Sequence, residues 1–503
     1  MKLQDAVVFT VALPILAPVA VIRTTYGLLK YMFKSKAYSA LPAADGIFPM
    51  VSLFKPGRLE EVFLKMRNED GEFPDLFSFG FYYNSDCAVA VCSADLVRHI
   101  YTNPNDFPKL PVSNRLLESF VGEGIVTSEG HKWKRDRKML TPVFHFDSLT
   151  KGTPKIVREC LKLYGELDGR ADHSGQVDSD ALELFARLTM RIIIAYAFGD
   201  DMPAEPMNKA FEELFQPVEE LFLYSFLFGP LWKLLPLSAA AQVRKAKVTI
   251  RKLVEERVMH ALERKKRGES LFDDNNLLEG ILLAAKEGEE KETVEEAISQ
   301  GLTFLFAGHD TTSKLLSFTM DYLTRPENVH YQAELRQEAE VVFGDIEGFA
   351  RADRSAVNKL VLCERVLLET LRLSPVAPIL ERQAAKDVRL GNTLIKAGTA
   401  VISPVYCTHR DGRYWKEPDT FYPHRFSDEN SVGRKNFSFL PFGAGGRTCL
   451  GQKLSLLEAR LILSSLLLKY DIVRLQEEAP KRVFAFVMAP TPFKVGLRRR
   501  DIE

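Results

Sequence analysis

Phe442 to Gly451 reads F-G-A-G-G-R-T-C-L-G and gathers the residues of this 503-residue chain best suited to chemistry. Gly443, Gly445 and Gly446 allow the backbone to bend and come close to a flat partner. Arg447 adds a lone cation and Cys449 a lone thiol. An apolar run with helical spacing follows: Leu454, Leu456, Leu457, Leu461, Ile462, Leu466 and Leu467. A thiol at the start of a helix suits a thiolate ligand, because free N–H groups and the helix dipole favour its negative charge. One cysteine cannot build a structural zinc site, which takes about four ligands. It can be the single protein ligand of a haem iron. The alternative is a buried free cysteine beside a glycine turn, the commoner fate of an isolated Cys.

A second stretch, Ala307-Gly308-His309-Asp310-Thr311-Thr312, lies inside an apolar-rich segment. Gly308 costs about 1 kcal/mol relative to alanine within a helix, so its place there needs a reason. Ala307 and Thr311 are four residues apart and share a face. His309 points about 200° away from Ala307 at about 100° per residue, which makes it structural and not an iron ligand. Trp133 and Arg137 are also four apart on a helical stretch. Glu369-x-x-Arg372 is an i,i+3 ion pair of a kind common on helix surfaces.

Phe442, Gly445, Arg447, Cys449 and Gly451 together match F-x-x-G-x-R-x-C-x-G, and here the chain resembles the cytochrome P-450 family. Four more motifs fall in that family's order. Trp133 and Arg137 match its W-x-x-x-R, which bonds a haem propionate. Ala307, Gly308, Asp310 and Thr311 match A-G-x-D/E-T, whose small residues leave room for dioxygen. Glu369 and Arg372 match E-x-x-R, and Arg425, in W-x-x-P-x-x-F-x-P-H-R-F, completes the Glu–Arg–Arg network that supports the haem loop. Arg382, in L-E-R-Q, matches a further propionate contact. His424 stands where the family commonly has glutamate, a departure at a surface position more than in the network. The resemblance covers roughly residues 40 to 497.

Several elements must position these groups. Thr293-Val-Glu-Glu296 fits a capping box, so a helix is expected from there to Leu323, ending before Pro326. About 30 residues at 1.5 Å each span about 45 Å, enough to cross a domain. Residues 86–93 alternate like a short strand, and Ala94 to Tyr101 reads as a helix. Residues 180–285 read as several helices. Within them Leu221 to Leu237 is apolar and broken by Gly229, Pro230 and Pro236, which suggests membrane or ligand contact, with core packing as the alternative. The family has its substrate-access region about here. The fold implied is mainly α with small β-sheets, an α+β architecture with haem between a long central helix and the Cys-bearing loop. Lys134, Arg135 and Lys138 form either a docking patch for an acidic electron donor or a solvated basic face.

Lysine plus arginine equals aspartate plus glutamate at 67 each, so charge offers no case for nucleic-acid binding. The six cysteines are scattered without a C-x-x-C pair, which suggests a reducing compartment. Ala6 to Ile22 is uncharged, closed by Arg23 and interrupted by Pro14 and Pro18. A cleaved signal peptide and a buried helix are alternatives, but length and flanks favour a membrane anchor. Basic residues after the span leave the main body cytosolic. The expected division is residues 1–36 as anchor with its amphipathic flank and 37–503 as the haem domain. Relatives with such an N-terminus sit on the endoplasmic reticulum. Their proline-rich hinge is reduced here to Pro42 and Pro49.

The resemblance implies non-covalent haem b and a monooxygenase. Cys449 would ligate the iron. Arg447, Trp133, Arg137 and Arg382 would offset the propionates. Asp310 and Thr311 would deliver protons to dioxygen, unless Thr311 merely bonds its own helix backbone. With no G-x-G-x-x-G at a strand-to-helix turn, electrons are expected from a separate NADPH-dependent reductase, or from a cytochrome b-type donor. The substrate class implied is lipophilic, with a fatty acid or sterol favoured. Ala307 replaces a glutamate through which some fatty-acid hydroxylases esterify their haem, so the haem should be extractable. A haem-thiolate isomerase or dehydratase and a haem sensor are the rival classes; the first commonly lacks the distal threonine and the second has no need of Asp310-Thr311.

Overall fold

The structure, a computed structural model, describes residues 36–44, 53, 55–82, 86–199, 202–228, 237–267, 277–284, 290–484 and 486–500, with residues 18, 21, 22, 25 and 26. Apart from those five residues, the apolar run from Ala6 and the basic stretch to Lys34 lie outside the described residues, as do Pro49 and residues 229–236 of the apolar segment. Among the described residues no helix is long and apolar enough to cross a membrane.

The chain enters through Pro42, whose carbonyl accepts from Ser78 N at 2.7 Å, so this proline docks on a sheet edge. Helix α1 (Arg58–Leu64) precedes strands β1 (Leu76–Tyr82) and β2 (Asp86–Val91). Then come α2 (Ala94–Thr102), α3 (Pro111–Val121), α4 (Gly130–Leu140) and α5 (Phe146–Asp168). Pro111 opens α3 where its missing N–H costs nothing. After β3 (Gln176–Asp180), Asp180 caps α6 (Ala181–Ala197) by accepting from Glu183 N at 2.9 Å. Helices α7 (Ala204–Phe215), α8 (Val218–Phe228), α9 (Ser238–Lys266) and α10 (Leu277–Ala284) follow.

The long helix α11 runs Glu290–Leu323. Its described part already includes Glu290, three residues before the expected cap, so Thr293 lies within the helix and is buried, and Glu290-Lys291-Glu292 holds no helix breaker. Two glycines bring it close to α6. A Cβ on Gly308 would meet Ile193 Cδ1 at 2.7 Å, and one on Gly301 would meet Phe198 Cζ at 2.8 Å. Seven residues apart, they share a face. Gly308 therefore has a packing reason for its place, in addition to the room that the motif implies.

The chain closes through α12 (His330–Phe343), α13 (Val361–Leu373), β4 (Leu380–Gln383), β5 (Val388–Leu390), β6 (Thr393–Ile395) and β7 (Ala400–Ser403). Helix α14 (Gln452–Lys469), then β8 (Tyr470–Arg474), β9 (Arg482–Phe484), β10 (Met488–Pro490) and β11 (Lys494–Arg499) complete it. The main sheet has the order β1-β2-β7-β4, with β2 and β7 parallel and the outer pairs antiparallel. A second sheet, β3-β11-β8, ties the middle of the chain to its end. The leucines singled out after Cys449 are all buried in α14, a helix apolar on nearly every side and enclosed accordingly. The architecture is the expected α+β, mostly helical with small separate sheets.

Candidate active site

One cavity of about 370 Å³ collects residues from across the chain. Helix α4 contributes Trp133 and Arg137, one turn apart on one face. Helix α11 contributes Thr303, Ala307, Gly308 and Thr311, again at i,i+4 spacing. Leu380 and Arg382 alternate to the same side of β4. The loop before α14 contributes Phe442, Arg447, Cys449 and Gly451. The remaining lining is largely apolar and includes Ile125, Val126, Phe304 and Val376.

The Cys loop is built by its glycines. Gly445 has φ +67°, and a Cβ there would lie 2.3 Å from the Tyr101 carbonyl oxygen. The close approach made possible at Gly445 is thus to the end of α2. Cys449 N donates to Phe442 O at 2.9 Å and closes the turn. Of the six cysteines, five are buried and Cys449 is exposed, its surface opening into the cavity. Enclosure by the cavity walls raises its thiol pKa, against the pull of the Gly451 and Gln452 amides and of Arg137. The helix-start donors anticipated from the sequence are present, and burial outweighs them for the free thiol.

Positive charge accumulates at one edge. Lys109, Arg137, Arg382 and Arg447 all line the cavity. Burial, with Arg447 and Arg382 alongside, brings Lys109 down to about 7. Burial pulls Arg447 down to about 10, opposed by Glu129, whose carboxylate lies 3.5 Å away. Arg447 stands 4.0 Å over the Trp133 ring, and Arg137 donates to Thr448 O at 2.9 Å. The Tyr101 hydroxyl, buried at the same edge, makes no hydrogen bond to the described residues. Such crowding is costly unless anions join it. A flat dicarboxylate with a central metal, its acid groups at this edge and its metal at Cys449, fits the set.

Across the cavity Thr311 Oγ1 donates to Ala307 O at 2.6 Å. Its proton is thus committed to the helix backbone, and its oxygen is left as an acceptor toward the cavity. Asp310 does not line the cavity and pairs with Lys314 one turn on. His309 also points away. It is buried edge-on to Phe211 at 5.2 Å between ring centroids, and burial lowers its pKa to about 4.

Glu369, Arg372 and Arg425 stay out of the cavity and hold its floor. Glu369 and Arg372 are fully buried and paired twice at 2.8 Å. Arg372 also donates to His409 O, Pro418 O and Thr420 O, at 2.9, 2.6 and 3.1 Å. Arg425 Nε reaches Glu369 at 3.4 Å. His409 Nε2 then accepts from Leu440 N at 2.7 Å, which carries the network into the Cys loop. Sequence reasoning missed His409, Tyr101 and Lys109; an isolated His, Tyr or Lys carries no spacing signal. The basic residues of α4 divide: Lys134 and Lys138 are exposed, whereas Arg135 is held by Asp136 and Glu296.

The profile of the family described as Cytochrome P450 matches residues 47–497. The chain is similar to 11-oxo-beta-amyrin 30-oxidase of Glycyrrhiza uralensis, 31% identical over 395 residues that cover 76% of this chain and 73% of that protein. It is similar to Cytochrome P450 734A1 of Arabidopsis thaliana, 30% identical over 409 residues, 78% of this chain and 74% of that one. It is also similar to Cytochrome P450 4V2 of Mus musculus, 28% identical over 467 residues, 88% and 86% of the two chains. The chain belongs to the cytochrome P450 family, and is an oxidoreductase of the monooxygenase class with haem b as its cofactor.

Proposed function

We propose that Cys449 would hold the haem iron through its sulfur and that the protein hydroxylates a lipophilic substrate held between Thr311 and the apolar wall. The observation that carries this reading is the lone accessible thiol, opening into a cavity that the Ala307–Thr311 face also lines. Haem with a thiolate ligand activates dioxygen and favours O–O cleavage. The balance is substrate C–H plus O2, two electrons and two protons, giving C–OH and water. The chain's part is to bind, to exclude water and to supply protons.

Lys109, Arg137, Arg382 and Arg447, with Trp133 beneath Arg447, would hold the propionates, and arginine suits this because its fork meets a carboxylate in two places. Thr311 holds a water against the cavity through its free lone pairs. The Asp310–Lys314 pair connects that water with solvent. Replacing Thr311 with alanine should keep haem while product per NADPH falls about tenfold or more and peroxide rises. Unchanged coupling would remove the proton role.

Electrons come from a separate NADPH-dependent reductase on the same membrane, with a cytochrome b-type protein as a second donor. The favoured substrate is a sterol-like polycyclic molecule or a fatty acid. The apolar lining supports lipophilicity, and two relatives named as 11-oxo-beta-amyrin 30-oxidases add weight to the polycyclic class. NADPH consumption with a supplied reductase tests the reaction, since an isomerase or a sensor would not couple it to a hydroxylated product.

Residues 1–36 act as the endoplasmic-reticulum anchor and the cytosolic haem domain begins at 37. The buried Tyr38 supports that boundary: its hydroxyl bonds Thr399 at 2.9 Å and accepts from Lys396 N at 3.0 Å. Deleting residues 1–36 should move most of the protein from the membrane pellet to the supernatant with its haem retained. Loss of folding instead would make the segment part of the core.

A further inference from the structure

The cavity wall at Ile125 and Val126 is part of a loop, residues 122–129, that has no regular secondary structure along most of its length. It is nevertheless held at both ends. At one end Ile125 N donates to Gln300 Oε1 at 2.9 Å. Beside it, a Cβ on Gly124 would lie 2.0 Å from Thr303 Oγ1, so the loop backbone rests directly on α11. At the other end the Ser128 carbonyl accepts from Arg447 at 2.9 Å, and the Ser128 hydroxyl faces Asp136 at 3.4 Å.

Gln300 is fully buried and every polar atom of its amide is used. Its Nε2 donates to Asp136 at 3.0 Å and to Glu296 at 2.7 Å. Those two carboxylates force the amide's orientation, because a flipped amide would turn its oxygen toward both of them. The orientation they force presents the acceptor to Ile125. The carboxylates are themselves neutralised. Lys132 donates to Asp136 at 2.8 Å and to Glu296 at 3.3 Å, and Arg135 bridges the same pair at 2.9 and 2.7 Å. A neutral cluster across α4 and α11 therefore ends in one hydrogen bond to the backbone of a cavity wall. The same loop also carries the Ser128 carbonyl that steadies Arg447.

We propose that Gln300, oriented by Asp136 and Glu296, is a positioning residue that fixes the Ile125–Val126 wall and so determines which lipophilic substrates fit. The inference rests on the monooxygenase reading given above, because it gives that wall its substrate. Gln300 touches neither substrate nor cofactor; it acts through the Ile125 amide. Glutamate at this position would be a third carboxylate beside two others, and methionine would leave the Ile125 amide buried without an acceptor.

The test uses full-length holoprotein with Gln300→Met, and Gln300→Glu as a second variant should the first fail to fold. Hydrogen exchange of the segment 122–128 is followed by mass spectrometry. Spectral titrations use dodecanoic acid, cholesterol and beta-amyrin as probes. The expected result is exchange about tenfold faster in 122–128, the loss of a hydrogen bond with little other change. The tightest probe should bind about tenfold more weakly, with an altered order among the three and an intact carbon monoxide band. Unchanged exchange overturns the clamp. Faster exchange with unchanged affinities and order overturns the specificity role, even if the melting temperature falls. Absence of the thiolate carbon monoxide band from the unmodified protein would instead sink the proposed function, while the exchange result would still report on the clamp.

Discussion

Cys449→Ala is expected to abolish the red-shifted carbon monoxide band of the reduced protein and all NADPH-coupled product. Among the described residues the other cysteines are buried, and no histidine lines the cavity. Ser455, the nearest hydroxyl on α14, bonds Thr312 at 3.0 Å and is a weak ligand beside a thiolate. The folded state should be preserved, because the turn is closed by the Cys449 backbone N–H to Phe442 O, a bond that alanine retains. The check is a reduced-minus-oxidised carbon monoxide spectrum on protein whose circular dichroism matches the parent. Persistence of the band would show that another residue holds the iron.

The second large effect is expected at Glu369, in the support and not in the cavity. Glu369→Gln keeps the shape of the side chain and removes its charge. Arg372 is then left fully buried with three carbonyl partners and no counter-ion. Removing one member of a buried ion pair costs about 3–5 kcal/mol, because the remaining charge is uncompensated. The loss passes outward along Arg372, His409 and Leu440 to the Cys loop. The expected result is a lower melting temperature together with a poor yield of haem-loaded protein. Because Glu369 does not touch the cavity, the molecules that do fold should show the parental carbon monoxide band. A melting temperature equal to the parent's would show that the three backbone carbonyls alone suffice for Arg372.

The two variants separate roles that both reach the same loop. On the proposed reading Cys449 acts at the metal and Glu369 acts through the scaffold. The first should remove chemistry from a stable protein, and the second should remove stability from a protein whose chemistry is intact. The Thr311 and Gln300 variants fall between them: each should bind haem normally, and each should change how electrons or substrates are used.

Much of the site was legible because its parts are local patterns. F-x-x-G-x-R-x-C-x-G, Trp133 with Arg137, and Ala307 with Thr311 each depend on spacing along one segment, and helix periodicity converts spacing into a shared face. The C-terminal end of α11 at Leu323 and the apolar run of α14 followed from the same periodicity. Helix starts were less legible. Thr293 has the chemistry of a cap, yet the charged residues before it continue the helix without a breaker.

What the sequence alone determined, then, was which short stretches line the cavity, the Cys449 loop and the Ala307–Thr311 helix, and the Glu369–Arg372 pair, because each is written in a short stretch of chain. Only the tertiary structure decided the rest. Gly308 makes room for Ile193 of α6, a fact no single segment contains. Lys109 and Arg382, from separate elements, meet Arg447 at one edge of the cavity, where their crowded charge calls for an anion. Asp310 is tied to Lys314, and Gln300 reaches 175 positions back to hold Ile125. These contacts join residues far apart in the chain, and packing, not spacing, brings them within the few ångströms over which hydrogen bonds and buried charges act.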